Sequence, residues 1–427
     1  MNEQPSNRRS FLRTMTHGVV GGLALISVPE SSRARYLVTD QQAVAATDEH
    51  FWGLVRQQFP LQTSRIYMNN GTMGPSPYVV QEAMAGKEEE VNITGEYGGH
   101  DESRPYLARF LNCRDEEVSL THNVTEGINI IAQGMRLKRG DEVIITDHEH
   151  IGNAVPWFVR AKRDGIVVRV VPLGRDRQDV LNKISDAINK KTRVIAVPHI
   201  TCTQGQLLPA KEISRLGHDK GLWVMLDGAH PCGMMPVDVK ELECDFYASC
   251  GHKWMMAPKG TGFLYVKKEM MEVVEPIMSG GGAADWNYEQ GITSWVATAH
   301  RYDYGSQSAA LAFGLNAATD FLHHLGMENV AGRGKAMARH LRNGLLNIDN
   351  IDILTPAEEE SYQSMIGFRL RNMEYTKFQT WLAEKYKIRI RGINESKLNS
   401  LRISMHVYNT FAEVDRLLEG IKESARL

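Results

Sequence analysis

Short apolar runs alternate along the middle of the chain with longer segments whose apolar positions recur at helical spacing. Strands are expected at Glu142 to Thr146, Val167 to Val171, Arg193 to Val197, Leu222 to Leu226, Phe246 to Ser249 and Gly262 to Val266. Helical stretches fall between several of them, at Val124 to Met135, Val155 to Asp164, Val180 to Ile188 and Ala210 to Lys220. Apolar strands alternating with helices predict an α/β fold with a mostly parallel central sheet covered on both faces. After Gly305 the pattern changes. Two long helical stretches, Ser308 to Leu325 and Glu328 to Asn347, lead into short strands at Ile351 to Leu354, Met365 to Leu370, Ile388 to Gly392 and Leu401 to Met405. A last helix follows at Thr410 to Ser424, and the whole reads as a smaller C-terminal α+β domain. The expected division is residues 1–45, 46–306 and 307–427.

Residues 1–45 carry a different signal. Asn7-Arg8-Arg9-Ser10-Phe11-Leu12-Arg13 is followed by an apolar run from His17 to Val28, too short for a permanent membrane span. A twin arginine before a weakly hydrophobic core predicts a Tat export signal and a periplasmic protein. Cleavage fits after Ala34 or after Ala45. The second site leaves Asp48 to Gln58 as the first mature helix.

The length of 427 residues and 42% hydrophobic content allow a large core, and a net charge of −2 gives no footprint for nucleic acid. Five cysteines without C-x-x-C spacing argue against a zinc site or disulfide framework.

Two segments carry the chemistry. Asp227-Gly228-Ala229-His230 follows the strand at Leu222 to Leu226, and Ser249-Cys250-Gly251-His252-Lys253 follows the next one. In parallel sheets ligands gather at the carboxyl ends of strands. A lysine that can hold an aldehyde as a Schiff base and a carboxylate that can keep a pyridine nitrogen protonated are what a pyridoxal phosphate (PLP) enzyme needs. His122-Asn123-Val124-Thr125-Glu126-Gly127 opens a helix, and the free N–H groups of Val124 and Thr125 suit a phosphate.

With Glu149-His150-Ile151-Gly152-Asn153-Ala154-Val155-Pro156-Trp157 added, the chain resembles fold-type I PLP enzymes of the class V aminotransferase family, in its isopenicillin N epimerase-like branch. The resemblance runs from Tyr67 to the C-terminus. It implies that Lys253 holds the cofactor, that Asp227 bonds the ring nitrogen, and that His150 stacks on the ring. It further implies that His230 bonds the phenolic oxygen and that His252, Val124 and Thr125 hold the phosphate. Cys250 stands where the desulfurase branch usually has Ser, so its phosphate contact is lost or passes to Ser249. Ser306 is implied to reach the neighbouring protomer's phosphate site, which makes the protein a homodimer with shared active sites. Gly280-Gly281-Gly282 looks like a loop at the same interface. Arg402 is implied to clamp a substrate α-carboxylate, with Arg391 as a second candidate and the turn Asn69 to Pro75, including Asn70, over the substrate. No metal is implied. Cysteine desulfurases need a cysteine on the loop between the two arginines. Here that loop, Gly392 to Asn399, has none, so desulfurase activity is not expected. An export signal on a class V enzyme resembles the siderophore-tailoring members of the family. That implies a peptide siderophore precursor as substrate and the Tat translocon as a transient partner. The alternative is an amino-acid epimerase or aminotransferase of the same fold.

Overall fold

The computed structural model describes residues 43–97 and 101–425, with the backbone of two short paired strands at Leu25–Ser27 and Arg35–Leu37. The twin arginine and the candidate cleavage site after Ala34 lie outside the described residues.

The central sheet has seven strands: β1 (Val118–Thr121), β2 (Glu142–Thr146), β3 (Val167–Val171), β4 (Thr192–Pro198), β5 (Trp223–Asp227), β6 (Phe246–Cys250) and β7 (Gly262–Val266). Their order across the sheet is β1-β7-β6-β5-β4-β2-β3. The five strands from β6 to β3 run parallel, while β7 and β1 add antiparallel pairs at one edge. The expected strands match these to within one residue at each end. β1 was not expected: its Val-Ser-Leu-Thr is too short to show a period, yet every residue in it is buried.

Alternation within the strands feeds two cores. Val194 and Ala196 of β4 pack on one side with Ile128, Ile131 and Trp157, while Ile195 and Val197 pack on the other with Leu107, Leu111 and Ile213. Successive side chains of a strand face opposite ways, so each parallel strand needs apolar residues at nearly every position. A third core belongs to a four-stranded sheet of β8 (Ile351–Ile353), β9 (Met365–Leu370), β10 (Arg391–Ile393) and β11 (Ser400–Ser404), ordered β8-β9-β11-β10 and covered by helices Met327–Leu345 and Phe411–Ser424.

Two details differ from the sequence pattern. The helix Ala309–Leu325 buries Leu315, Ala318, Phe321, Leu322 and Leu325 in a core of the central sheet, not in the small C-terminal one. The single strand expected at Ile388 to Gly392 is two. Ile388–Arg389 pairs in parallel with Ile66–Tyr67, and β10 pairs with β11. Apolar pattern marks such a strand but does not say which neighbour each half finds.

Candidate active site

The carboxyl ends of β5 and β6 place Asp227 and the turn bearing Lys253 side by side. Gly228 is required between them: a Cβ there would come within 2.0 Å of the Tyr247 ring. Asp227 is buried. The backbone N–H of Ala229 donates to its Oδ1 at 2.9 Å, and the N–H of His199 donates to its main-chain oxygen at 2.9 Å. Burial raises its carboxyl pKa, and the Lys253 cation opposes that rise. The two expected partners therefore share one field.

Lys253 sits under the turn Asn69 to Pro75. The N–H of Gly74 donates to the His252 carbonyl at 2.8 Å, and a Cβ on Gly74 would fall 2.0 Å from the Lys253 carbonyl oxygen. His150 is the N-cap of the helix Ile151–Asp164, with its Nδ1 accepting the N–H of Gly152 at 3.0 Å. A Cβ on Gly152 would lie 2.5 Å from Thr125 Oγ1, so this helix N-terminus and that of Val124–Gly134 come close together. The second helix is capped by Asn123, whose side chain takes the Glu126 N–H at 3.0 Å. By helix geometry the N–H groups of Val124 and Thr125 have no acceptor within the helix, which suits an anion such as phosphate.

His230 is buried. Its Nδ1 accepts the indole N–H of Trp254 at 3.0 Å, and its Nε2 has no partner among the described residues. Asn70 is similar: its Oδ1 accepts the Tyr408 hydroxyl at 2.9 Å while its buried Nδ2 is unpartnered. Buried donors without acceptors are costly and uncommon in folded proteins. Unpartnered Nε2 and Nδ2 atoms around Asp227 and Lys253 fit a polar aromatic cofactor and a polar substrate.

Arg402 is fully buried on β11. It donates to the Cys202 carbonyl at 2.6 Å, Ser404 Oγ at 3.1 Å and Thr72 Oγ1 at 3.4 Å. Among the described residues no carboxylate lies within ion-pair distance of it. Burial, and then the neighbouring Arg391 cation, pull its pKa down to about 9. Arg391 differs, because it is ion-paired with Glu395.

Of the phosphate candidates, Ser249 takes another position. Ser249 cannot supply the phosphate contact. It points to the opposite face of β6 from Cys250, is buried, and donates to the Gly228 carbonyl at 2.8 Å. The Cys250 thiol faces the Ala229 carbonyl at 3.7 Å. Ser306, expected to reach a neighbouring protomer, is exposed on this one, with its hydroxyl 3.2 Å from that of Tyr97. Gly280-Gly281-Gly282 is an exposed loop.

Sequence reasoning gave no role to Glu149. It bonds Thr146 N at 3.0 Å, Thr146 Oγ1 at 2.8 Å and Asn153 Nδ2 at 2.7 Å, pinning the loop that carries His150 at both ends. The Glu149/Asn153 spacing of four was its only visible signal.

Burial holds the pKa of His150, His199, His252 and His406 down to about 4, and that of His230 well below the ordinary 6.5. Each folded value lies below the unfolded one, so the unfolded chain binds more protons between about 4 and 6.5, and stability falls as pH drops through that window. Glu149, raised by burial to about 8, works the other way: it costs stability as pH rises from 4.5 towards 8. Asp227, whose carboxyl burial also raises, acts in the same direction as Glu149, and the five histidines outweigh these two carboxyls below pH 6.5. The urea midpoint of the purified protein is expected to fall steeply from pH 6.5 to 4. A midpoint constant over that range would refute buried neutral histidines.

The model of the family described as aminotransferase class-V matches residues 93–417. The chain belongs to the class V aminotransferase family, whose members are PLP-dependent enzymes of fold type I. A probable cysteine desulfurase of Methanothermobacter thermautotrophicus is 30% identical over 393 residues, covering 87% of this chain and 97% of that protein. A cysteine desulfurase of Cronobacter sakazakii is 30% identical over 404 residues, covering 87% and 98%. Among solved structures, the cysteine desulfurase CsdA of Escherichia coli superposes with a TM-score of 0.78 at 26% identity, over 88% of this chain and 98% of that one. A C-DES variant with glycine covalently linked to its PLP cofactor gives a TM-score of 0.78 at 25% identity, over 86% and 99%. The cofactor expected from Asp227 and Lys253 is thus that of the family. These two curated relatives, however, carry desulfurase names and not those of the epimerase-like branch.

Proposed function

We propose that this protein is an exported PLP enzyme that acts on a free α-amino-acid end of a peptide siderophore precursor. The observation that carries the reading is Arg402, a fully buried guanidinium with no acidic partner among the described residues, whose charge reaches His230 together with that of Lys253. Such a group suits a substrate carboxylate held bidentately. PLP supplies an electron sink for bonds to Cα when bound. Around it, Asp227 holds the ring nitrogen, His230 and His150 orient the ring, and Val124, Thr125 and His252 hold the phosphate. Arg402 and Asn70 position the substrate, and Lys253 moves the proton.

The particular substrate we propose is the glutamate attached through its side chain to the pyoverdine chromophore, as in the exported pyoverdine-tailoring enzyme that the chain resembles. Its free α-amine and α-carboxylate match Lys253 and Arg402. The product is the succinamide. The α-carboxyl leaves as carbon dioxide, nitrogen stays on Cα, and dioxygen accepts the electrons. One oxygen atom enters the amide and the other leaves as water. The enzyme works as a homodimer in the periplasm. Of the two cleavage sites, that after Ala34 leaves the folded body intact. The Ala45 carbonyl accepts the N–H of Asp48 at 3.0 Å and the indole of buried Trp52 at 3.1 Å.

Desulfurase chemistry is not part of this reading. The loop Gly392 to Asn399 carries no cysteine. Cys202 is the thiol nearest Arg402, and burial pushes it up to about 11, so it stays protonated. Mass spectrometry of a glutamate-bearing precursor, with and without oxygen, tests the proposal. We expect succinamide only aerobically and no sulfur release from cysteine. A keto acid would move the assignment to an aminotransferase, and an inverted amino acid to an epimerase. Unchanged succinamide without oxygen would remove dioxygen from the scheme.

A further inference from the structure

We propose that Trp254 is a positioning residue that fixes the proton of His230 on Nε2 and so aims a hydrogen-bond donor at the phenolic oxygen of the cofactor. The argument is one of donor and acceptor inventory. An indole N–H can only donate. It meets His230 Nδ1 at 3.0 Å, so Nδ1 must be unprotonated and the neutral ring must carry its proton on Nε2. That Nε2 is buried and has no partner among the described residues. Burial first, and then the charges of Lys253, Arg402, His150 and Arg391, oppose a second proton on it. The ring is thereby a single neutral tautomer with one spare donor.

Trp254 is itself held firmly. It is fully buried between Met234, Met365, Ile200 and Leu207. Its carbonyl accepts His406 Nε2–H at 2.7 Å, and the His406 ring stands edge-on 5.3 Å from the indole. Gly233, at φ +87°, lets its backbone lie where a Cβ would be 2.3 Å from the Trp254 carbonyl. His406 follows β11, the strand that carries Arg402. The residue after the cofactor lysine therefore joins the carboxylate clamp to the ring contact. A phenylalanine could fill this space, but only an indole sets the tautomer.

The inference rests on the cofactor reading, and its test separates the two. In the holoenzyme, a donor to the phenolic oxygen favours the deprotonated form of the chromophore. Losing a hydrogen bond to a charged oxygen is expected to raise the midpoint of the visible absorption titration by about one pH unit. Trp254→Phe should show that shift, with a fall in kcat larger than any change in KM. His230→Gln carries its own amide donor, so Trp254→Phe added to His230→Gln should leave the midpoint unmoved. Ring-nitrogen NMR of histidine-labelled protein should show one fixed Nε2–H tautomer for His230 in the wild type and a mixture in Trp254→Phe. Equal shifts in both backgrounds, or an unchanged tautomer in Trp254→Phe, would show that Trp254 only packs and would overturn the proposal. A wild type left colourless by added PLP would sink the cofactor assignment alone, and the nitrogen resonances would still decide the tautomer.

Discussion

Lys253→Ala is expected to lower conversion of the glutamate-bearing precursor by about three orders of magnitude or more, because one side chain both holds the cofactor and moves the proton. Among the described residues no other amine is placed to replace it. Lys259 is the neighbouring candidate, but its Nζ donates to the Gly74 carbonyl at 2.9 Å and to Ser76 Oγ at 3.2 Å, within the turn that covers Lys253. The fold should tolerate the change. Lys253 is only partly buried, and the contacts that bind its turn are made by backbone: Gly74 N to the His252 carbonyl and Met256 N to the Lys253 carbonyl. Thermal stability is therefore expected to stay within about 1 kcal/mol of wild type. Mass spectrometry beside a melting curve separates the two effects. Conversion surviving in a folded Lys253→Ala protein would remove the lysine from the chemistry.

Arg402→Met is the second large effect. A bidentate guanidinium–carboxylate pair makes two charge-assisted hydrogen bonds of about 1.5–3 kcal/mol each, so kcat/KM is expected to fall by about 10²- to 10⁴-fold. Arg402→Lys keeps the charge but not the planar fork, and should recover only a small part of that loss. Arg391→Ala should cost about tenfold or less, since the charge of Arg391 is already balanced by Glu395 and its pairing is partly exposed to water. The contrast is the test. If Arg391→Ala costs more than Arg402→Met, the carboxylate lies at the strand edge and not in the buried site.

Much of this architecture can be read along the chain. The parallel strands show as dense apolar runs because both faces of the sheet are covered. Asp227 and Lys253 were found because each ends or follows such a run, where α/β sheets bind ligands. The helix Ala309–Leu325 was equally legible as an element, but its packing partner was not. Its apolar stripe would fit either core, and only the fold brings it against the helix Tyr78–Thr94. Ser249 and Cys250 illustrate the same limit on a smaller scale. The sequence offers Ser249 as a substitute for the phosphate contact at Cys250, while the pleat of β6 sends the two to opposite faces.

By itself, then, the sequence determined the order of strands and helices, the PLP-type pairing of an aspartate with a lysine, and the absence of a cysteine between Arg391 and Arg402. Periodicity and strand ends are local properties, carried by residues a few positions apart. Tertiary structure decided which charges are paired and which donors are spare. Among the described residues Arg402 lacks an acid partner while Arg391 has Glu395, and His230 gains its tautomer from Trp254 and its neutrality from burial. Arg402 meets Cys202 across 200 residues and Trp254 meets His406 across 152, and no local pattern encodes such pairings. Whether a buried polar atom is satisfied depends on everything packed around it, so it can be read only once the chain has folded.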